Sequence, residues 1–165
     1  MPAPVALVID FTFALCAYVL VAWWYIVPAI AGLPPRRVLP PLLLVHLLRP
    51  VSLWLLVPGV VVRPTLPASF ATGTAVGDLI ATTLALTAAV LVRYELKGAI
   101  AMTWIFNVVG LVDALRNCAV GMMTQAPTHM GAGVFIPAFG VPLLLVSHAL
   151  IFKVLLDQRR ARQSE

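Results

Sequence analysis

Residues 68–92 read ASFATGTAVGDLIATTLALTAAVLV, with Asp78 as the one formally charged residue. A bilayer core about 30 Å thick needs roughly 20 predominantly apolar residues in helical form. This stretch meets that length. The apolar positions run on without strict alternation, and a barrel strand would need only about 9–11 residues, so helix is the expected state. At about 100° per residue, Thr74, Gly77, Asp78, Ala81, Ala85 and Ala88 share one face. Val76, Leu79, Ile80, Leu86 and Val90 lie opposite. Small residues let helices approach closely in a membrane, so the face with Asp78 should point into a bundle.

Four further runs of this kind flank it, at 5–30, 38–62, 99–123 and 134–156. Hydrophobic residues make up 62% of the 165, and charged residues 10%. A soluble globule has about 45–50% and about 25%. That composition excludes a disordered chain, a disulfide scaffold and an ordinary soluble enzyme. The fold class expected is all-α: a polytopic membrane bundle of about five transmembrane helices, forming one domain over 1–165. The run 38–62 is the weakest, because His46, Arg49, Pro50 and Pro58 interrupt it, and a kinked or re-entrant segment is an alternative there. Residues 157–165 form a basic tail.

The excess of 11 Lys+Arg over 6 Asp+Glu gives +5. These charges cluster between the runs and after the last one, so they read as topology signals rather than as a nucleic-acid surface. With the C-terminus inside, Arg36, Arg37, Arg93, Lys97, Lys153, Arg159, Arg160 and Arg162 all fall inside and Arg63 outside. The orientation expected is N-out, C-in. Trp23, Trp24 and Tyr25 then lie near the inner interface, where amphipathic rings belong. Cys16 and Cys118 lie within apolar runs, without metal-ligand spacing, and read as packing residues.

Charges at bilayer depth are costly and call for a partner or a purpose. Arg49, Asp78, Asn107, Asp113, Arg116, Asn117 and His148 form the candidate intramembrane polar or ligand site, with His46 and Asp10 as further intramembrane polar groups. Counted along α-helices, Asp10 and Arg116 lie about 8–9 Å from the outer ends, and Asp78 and Asp113 about 13–15 Å. Arg49, His46 and His148 lie about 20–24 Å deep. Asn107, Gly110, Asp113, Ala114, Asn117 and Gly121 share a helix face. The expected pairs are Asp78–Arg49 and, one turn apart, Asp113–Arg116. Three acids against two arginines leave one carboxylate over. Ion pairs that only lock helices, and a transport or ligand site, are both compatible with this set. His46 and His148, on different runs at similar depth, are also the positions where haem b would find two axial ligands; interior histidines satisfied by packing are the plainer reading. No phosphate loop, nucleophile elbow or zinc spacing occurs, so no catalytic residue and no metal site are assigned.

Three ordered motifs carry a resemblance. Leu66-Pro-Ala-Ser-Phe-Ala71 continuing to Gly77-Asp78 resembles a pattern LPxxFAxxxGxGD, with Ala75 where that pattern has glycine. Trp104-x-x-Asn107-x-x-Gly110-Leu-x-Asp113 resembles a second, and Ile136-Pro-x-Phe-Gly-Val-Pro142 followed by His148 a third. Over roughly 49–158 the chain resembles a family of small, uncharacterised bacterial polytopic membrane proteins. The resemblance implies a helical inner-membrane protein and transfers no activity or cofactor. The partners expected are the lipid bilayer and a larger membrane complex or homo-oligomer, without nucleic acid. The functions left standing are a structural or assembly subunit, a transporter-like or proton-coupled ligand-binding protein, and a haem-binding redox protein.

Overall fold

The computed structural model describes residues 1–61 and 66–163, apart from the side chain of Arg162. Among the described residues five helices are long and apolar enough to cross a membrane: α1 (Ala3–Ile30), α2 (Pro35–Leu56), α3 (Ala68–Arg93), α4 (Ala99–Met123) and α5 (Gly131–Ala161). No strand occurs among the described residues. Residues 62–65, with the Arg63 expected on the outer side, lie outside them. The last helix runs on to Gln163, so 157–163 of the basic tail are helical.

Prolines shape the irregular turns. Pro28 cannot donate to the carbonyl four residues back, and its ring crowds that carbonyl. A wider π-turn over Ala22–Ile26 precedes it and absorbs the misfit. Ile136–Gly140 does the same ahead of Pro142 in α5. In α2 the effect is larger. Its first part, Pro35–Leu44, is α-helical, and from Val45 to Leu56 the chain winds as a 3₁₀ helix containing Pro50. Such a length is uncommon for this form. It sets the face that α2 presents. His46, Arg49, Ser52 and Leu55 are all buried, each three residues after the last. Three residues per turn bring them onto one line.

α3 is the central helix and packs against α2 on one side and α4 on the other. Ala71, Ala75, Ala81, Ala85, Ala88 and Ala89 are buried along it, while Val76, Leu79, Ile80, Leu86 and Val90 are exposed. That is the division the helical phase predicts. α5 packs on α1, α2 and α4, and α1 rests mainly on α5. Two apolar clusters close the bundle at its ends. Leu39, Leu43, Ala85, Ala88, Val92, Phe106, Ile151 and Leu155 pack at the end carrying Arg36, Arg37 and Arg93. Leu55, Leu66, Phe70, Ala71, Ala126 and Met130 pack at the end carrying the N-terminus. The polar side chains lie between the two.

The 3₁₀ winding also corrects a depth. Counted as α-helix from residue 62, Arg49 falls deeper than the aspartates. α2 ends at Leu56 instead, and seven residues at about 2.0 Å each put Arg49 about 14 Å from that end. Asp78 and Asp113 lie ten residues from the corresponding ends of α3 and α4, about 15 Å. The three are level.

Candidate functional site

Arg49 is the hub. Its side chain has no exposure to the surroundings, and its Nε donates to Asp78 Oδ1 at 2.8 Å. Its Nη2 donates to Asp113 Oδ2 at 2.7 Å. Its Nη1 donates to the Gly110 carbonyl at 3.2 Å and lies 3.5 Å from His148 Nε2. One guanidinium thus ties α2 to α3, α4 and α5. Its planar fork suits this better than an ammonium would. Glycines make the approach possible. A Cβ on Gly77 would strike the Asp113 carboxylate, with Cγ only 2.8 Å away, and one on Gly110 would lie 2.9 Å from His148 Cε1.

His148 is fixed by Asn107. The Asn107 amide Nδ2 donates to the His148 carbonyl at 3.2 Å, which turns Oδ1 toward the ring. Asn107 Oδ1 is 2.7 Å from His148 Nδ1, so Nδ1 carries the hydrogen. Nε2 then offers its lone pair toward Arg49. On the other side, Asn117 Nδ2 donates to Asp113 Oδ2 at 3.2 Å, and Arg116 Nη1 donates to Asn117 Oδ1 at 3.3 Å. His46 joins through its ring, which lies 4.3 Å from that of His148 and 4.8 Å from that of Phe106 between centroids. Neither of its ring nitrogens has a hydrogen-bond partner among the described residues.

Six of the seven expected site residues, Arg49, Asp78, Asn107, Asp113, Asn117 and His148, therefore meet in one network. Arg116 departs from the expected pairing. Asp113 is bound by Arg49, and Arg116 is exposed and reaches the network only through Asn117. The i,i+3 spacing permits an Asp113–Arg116 pair, but the buried guanidinium of α2 lies closer to the carboxylate. The spare carboxylate is Asp10, exposed on α1 and without an ion pair among the described residues. Sequence reasoning missed the Gly110 carbonyl and the buried hydroxyls of Ser52 and Thr74. The three-residue repeat of 46, 49, 52 and 55 was the signal that could have found Ser52.

A cavity of about 390 Å³ stands over this network, within the range of small-molecule sites. It runs from Ala126, Pro127 and Met130 at the N-terminal end of the bundle down to Arg49, Asp78 and Asn117. Its walls are mostly apolar, with Leu7, Phe11, Phe70, Leu143 and Leu144 among them. Thr74 and Ser52 line it as well, and Thr74 Oγ1 has no hydrogen-bond partner among the described residues. Asp113 is not part of the lining. The cavity thus meets the ion-paired centre at Arg49 and Asp78, with Asn117, Ser52 and Thr74 beside them. No group of three or more His, Cys, Asp or Glu side chains able to hold a metal occurs among the described residues.

A family model described as a domain of unknown function, DUF8737, matches residues 6–156. The chain belongs to that family. The match reaches into all five helices, including the first, and so extends further than the motifs at 66–78, 104–113 and 136–148. No curated protein and no solved structure matches the chain. The family's description names no function, so function is argued from the network and the cavity.

Proposed function

We propose that this DUF8737 chain is an integral protein of a bacterial inner membrane, N-out and C-in, that binds a small and largely apolar molecule in the cavity above Arg49. The orientation rests on Arg36, Arg37, Arg93, Lys97, Lys153, Arg159 and Arg160, which sit on the connections and the helix end opposite the N-terminus. The binding reading rests on one observation. A cavity of drug-like size has apolar walls and a polar floor at mid-depth. A bundle built only for packing has no use for such a void, since cavities weaken it.

The floor selects the ligand's polar end. Arg49 faces two carboxylates, so its charge is already answered. Asp78 faces the cavity and repels an anion. A hydroxyl or ammonium that donates to Asp78 or Thr74 fits, with an apolar body along Leu7, Phe11 and Phe70. In this reading Arg49, Asp113, Asn107 and His148 hold Asp78 in place, and Asn117 assists at the floor.

The test uses the purified chain in lipid nanodiscs and four ten-carbon probes: the alkane, the alcohol, the amine and the carboxylate. The alcohol and amine should raise the unfolding temperature, and the carboxylate should not. At a hundred times Kd the gain is about 2.7 kcal/mol. Asp78→Asn should remove the preference for the amine over the carboxylate. Equal responses to all four, or none, would overturn the proposal.

A second reading, a structural or assembly subunit, is supported by the way the buried arginine is bonded on every side. It is the reading that remains if no probe binds. Haem is less well supported, because the His46 and His148 rings touch each other and His148 Nδ1 is committed to Asn107.

A further inference from the structure

Among the charges near mid-span, Asp10 and Arg116 are not ion-paired to the Arg49 network, and Arg116 touches it only through Asn117. Asp10 of α1 and Arg116 of α4 are both exposed. Neither has an ion pair among the described residues. Asp10 lies seven residues from the start of α1 at Ala3, and Arg116 seven residues from the end of α4 at Met123. Both starting points are at the N-terminal end of the bundle. Each is therefore about 10 Å from that end. They are opposite in sign, equal in depth and on different helices.

Their surroundings are apolar. On α1, Ile9 and Phe13 flank Asp10, and Phe13 is 75% exposed. On α4, Val112 and Leu115 beside Arg116 are also exposed. The Arg116 guanidinium lies over Gly73 of α3, 3.8 Å from where a Cβ would be, and donates one hydrogen bond, to Asn117. It makes no other hydrogen bond among the described residues. A carboxylate is too short to reach the headgroups as an arginine can. Facing hydrocarbon, it gains most from an opposite charge at its own level.

We infer that a second copy of this chain docks here, Asp10 on α1 of one copy pairing with Arg116 in the α3–α4 groove of the next. Charge complementarity within one sequence picks a second copy over an unrelated partner. The contact joins two different surfaces. It closes as a two-fold dimer if both pairs form at once, and as a ring if each copy meets two neighbours. Neither Asp10 nor Arg116 lines the cavity, and Arg116 touches a lining residue only through its bond to Asn117.

Single-molecule photobleaching or native mass spectrometry from nanodiscs tests it. Wild type should associate, and Asp10→Arg or Arg116→Asp should each weaken self-association at least tenfold. Both residues are exposed; Asp10→Arg should keep the wild-type unfolding temperature when monomeric, and Arg116→Asp, which loses the bond to Asn117 and sets a second carboxylate one turn from Asp113, should lower it modestly. The decisive arm mixes the two variants. In the mixture Arg at position 10 meets Asp at 116, and Asp10 meets Arg116, so mixed complexes should form although neither variant associates alone. A wild type that stays monomeric at high protein-to-lipid ratio would overturn the inference. So would single variants that associate normally, or a mixture that stays monomeric.

Discussion

Replacing Arg49 with methionine tests the central claim about how the bundle is held. The side chain is fully enclosed and bonds to Asp78, Asp113 and the Gly110 carbonyl, with His148 Nε2 beside it. Methionine keeps much of the volume and removes every donor. Two carboxylates then face each other at mid-depth without their cation. Breaking a buried pair by removing one partner costs about 3–5 kcal/mol. For a domain of this size, each kcal/mol moves the midpoint by about 2–4 °C, so a fall of about 6–20 °C is expected. Thermal unfolding in nanodiscs, followed by circular dichroism, measures it. The same logic predicts a rescue. Adding Asp78→Asn and Asp113→Asn to Arg49→Met removes the stranded charges, and most of the loss should return. If Arg49→Met costs under about 1 kcal/mol, the guanidinium behaves like a surface pair and the reasoning fails. It also fails if the triple variant is no more stable than the single one.

Further outcomes follow from single contacts. Gly77→Ala should destabilise strongly by driving the Asp113 carboxylate off Arg49, while Gly73→Ala, with 3.8 Å of room, should be tolerated; paired melting curves compare them. His148→Leu removes the ring bonded to Asn107 and should cost about 1–3 kcal/mol. His46→Leu removes two ring nitrogens that have no hydrogen-bond partner among the described residues and should be near neutral or stabilising in the same assay. Cys118 lines the cavity and Cys16 is exposed. In a Cys16→Ser background, the ten-carbon alcohol should slow labelling of Cys118 by a small apolar maleimide. Unchanged labelling would mean that the alcohol does not occupy the cavity.

The five helices and the inward face of α3 were legible because they rest on span length and a regular 3.6-residue period, both of which a string of letters displays. The meeting of Asp78 with Arg49 was legible for a related reason, since two opposite charges at bilayer depth have few other places to go. The other partner of Arg49 was not. Asp113 has Arg116 one turn away on its own helix, and local spacing favours that neighbour. The choice depends instead on which side of α4 faces α2, and on Gly77 and Gly110 leaving the backbone bare where Arg49 and His148 arrive. Those are facts about the distance between helices. The cavity was hidden for the same reason, because a void is set by what fails to meet. Its lining comes from all five helices and the connection at 126–130.

The clearest failure of α-helical reading lies in α2, and it explains why the site exists. In an α-helix successive residues turn by about 100°, and in a 3₁₀ helix by about 120°. From His46 to Leu55 are nine steps, so the two forms differ by about 180° over that stretch. Wound as an α-helix, α2 could bury His46 beside His148 or Leu55 beside Val61, but not both. Arg49 and Ser52 would be turned to intermediate faces. The 3₁₀ form puts the ring, the guanidinium, the hydroxyl and the leucine in one row against α3, α4 and α5. Pro50 favours the change, since it has no N–H to give to the carbonyl at 46. In the 3₁₀ winding that carbonyl meets the N–H three residues on, and it also accepts from Thr82 Oγ1 at 3.2 Å. Geometry that is poor for an isolated helix is thus held by tertiary bonds, and it brings Arg49 level with both aspartates. The residues that looked like defects in the second span are the ones that align its polar face.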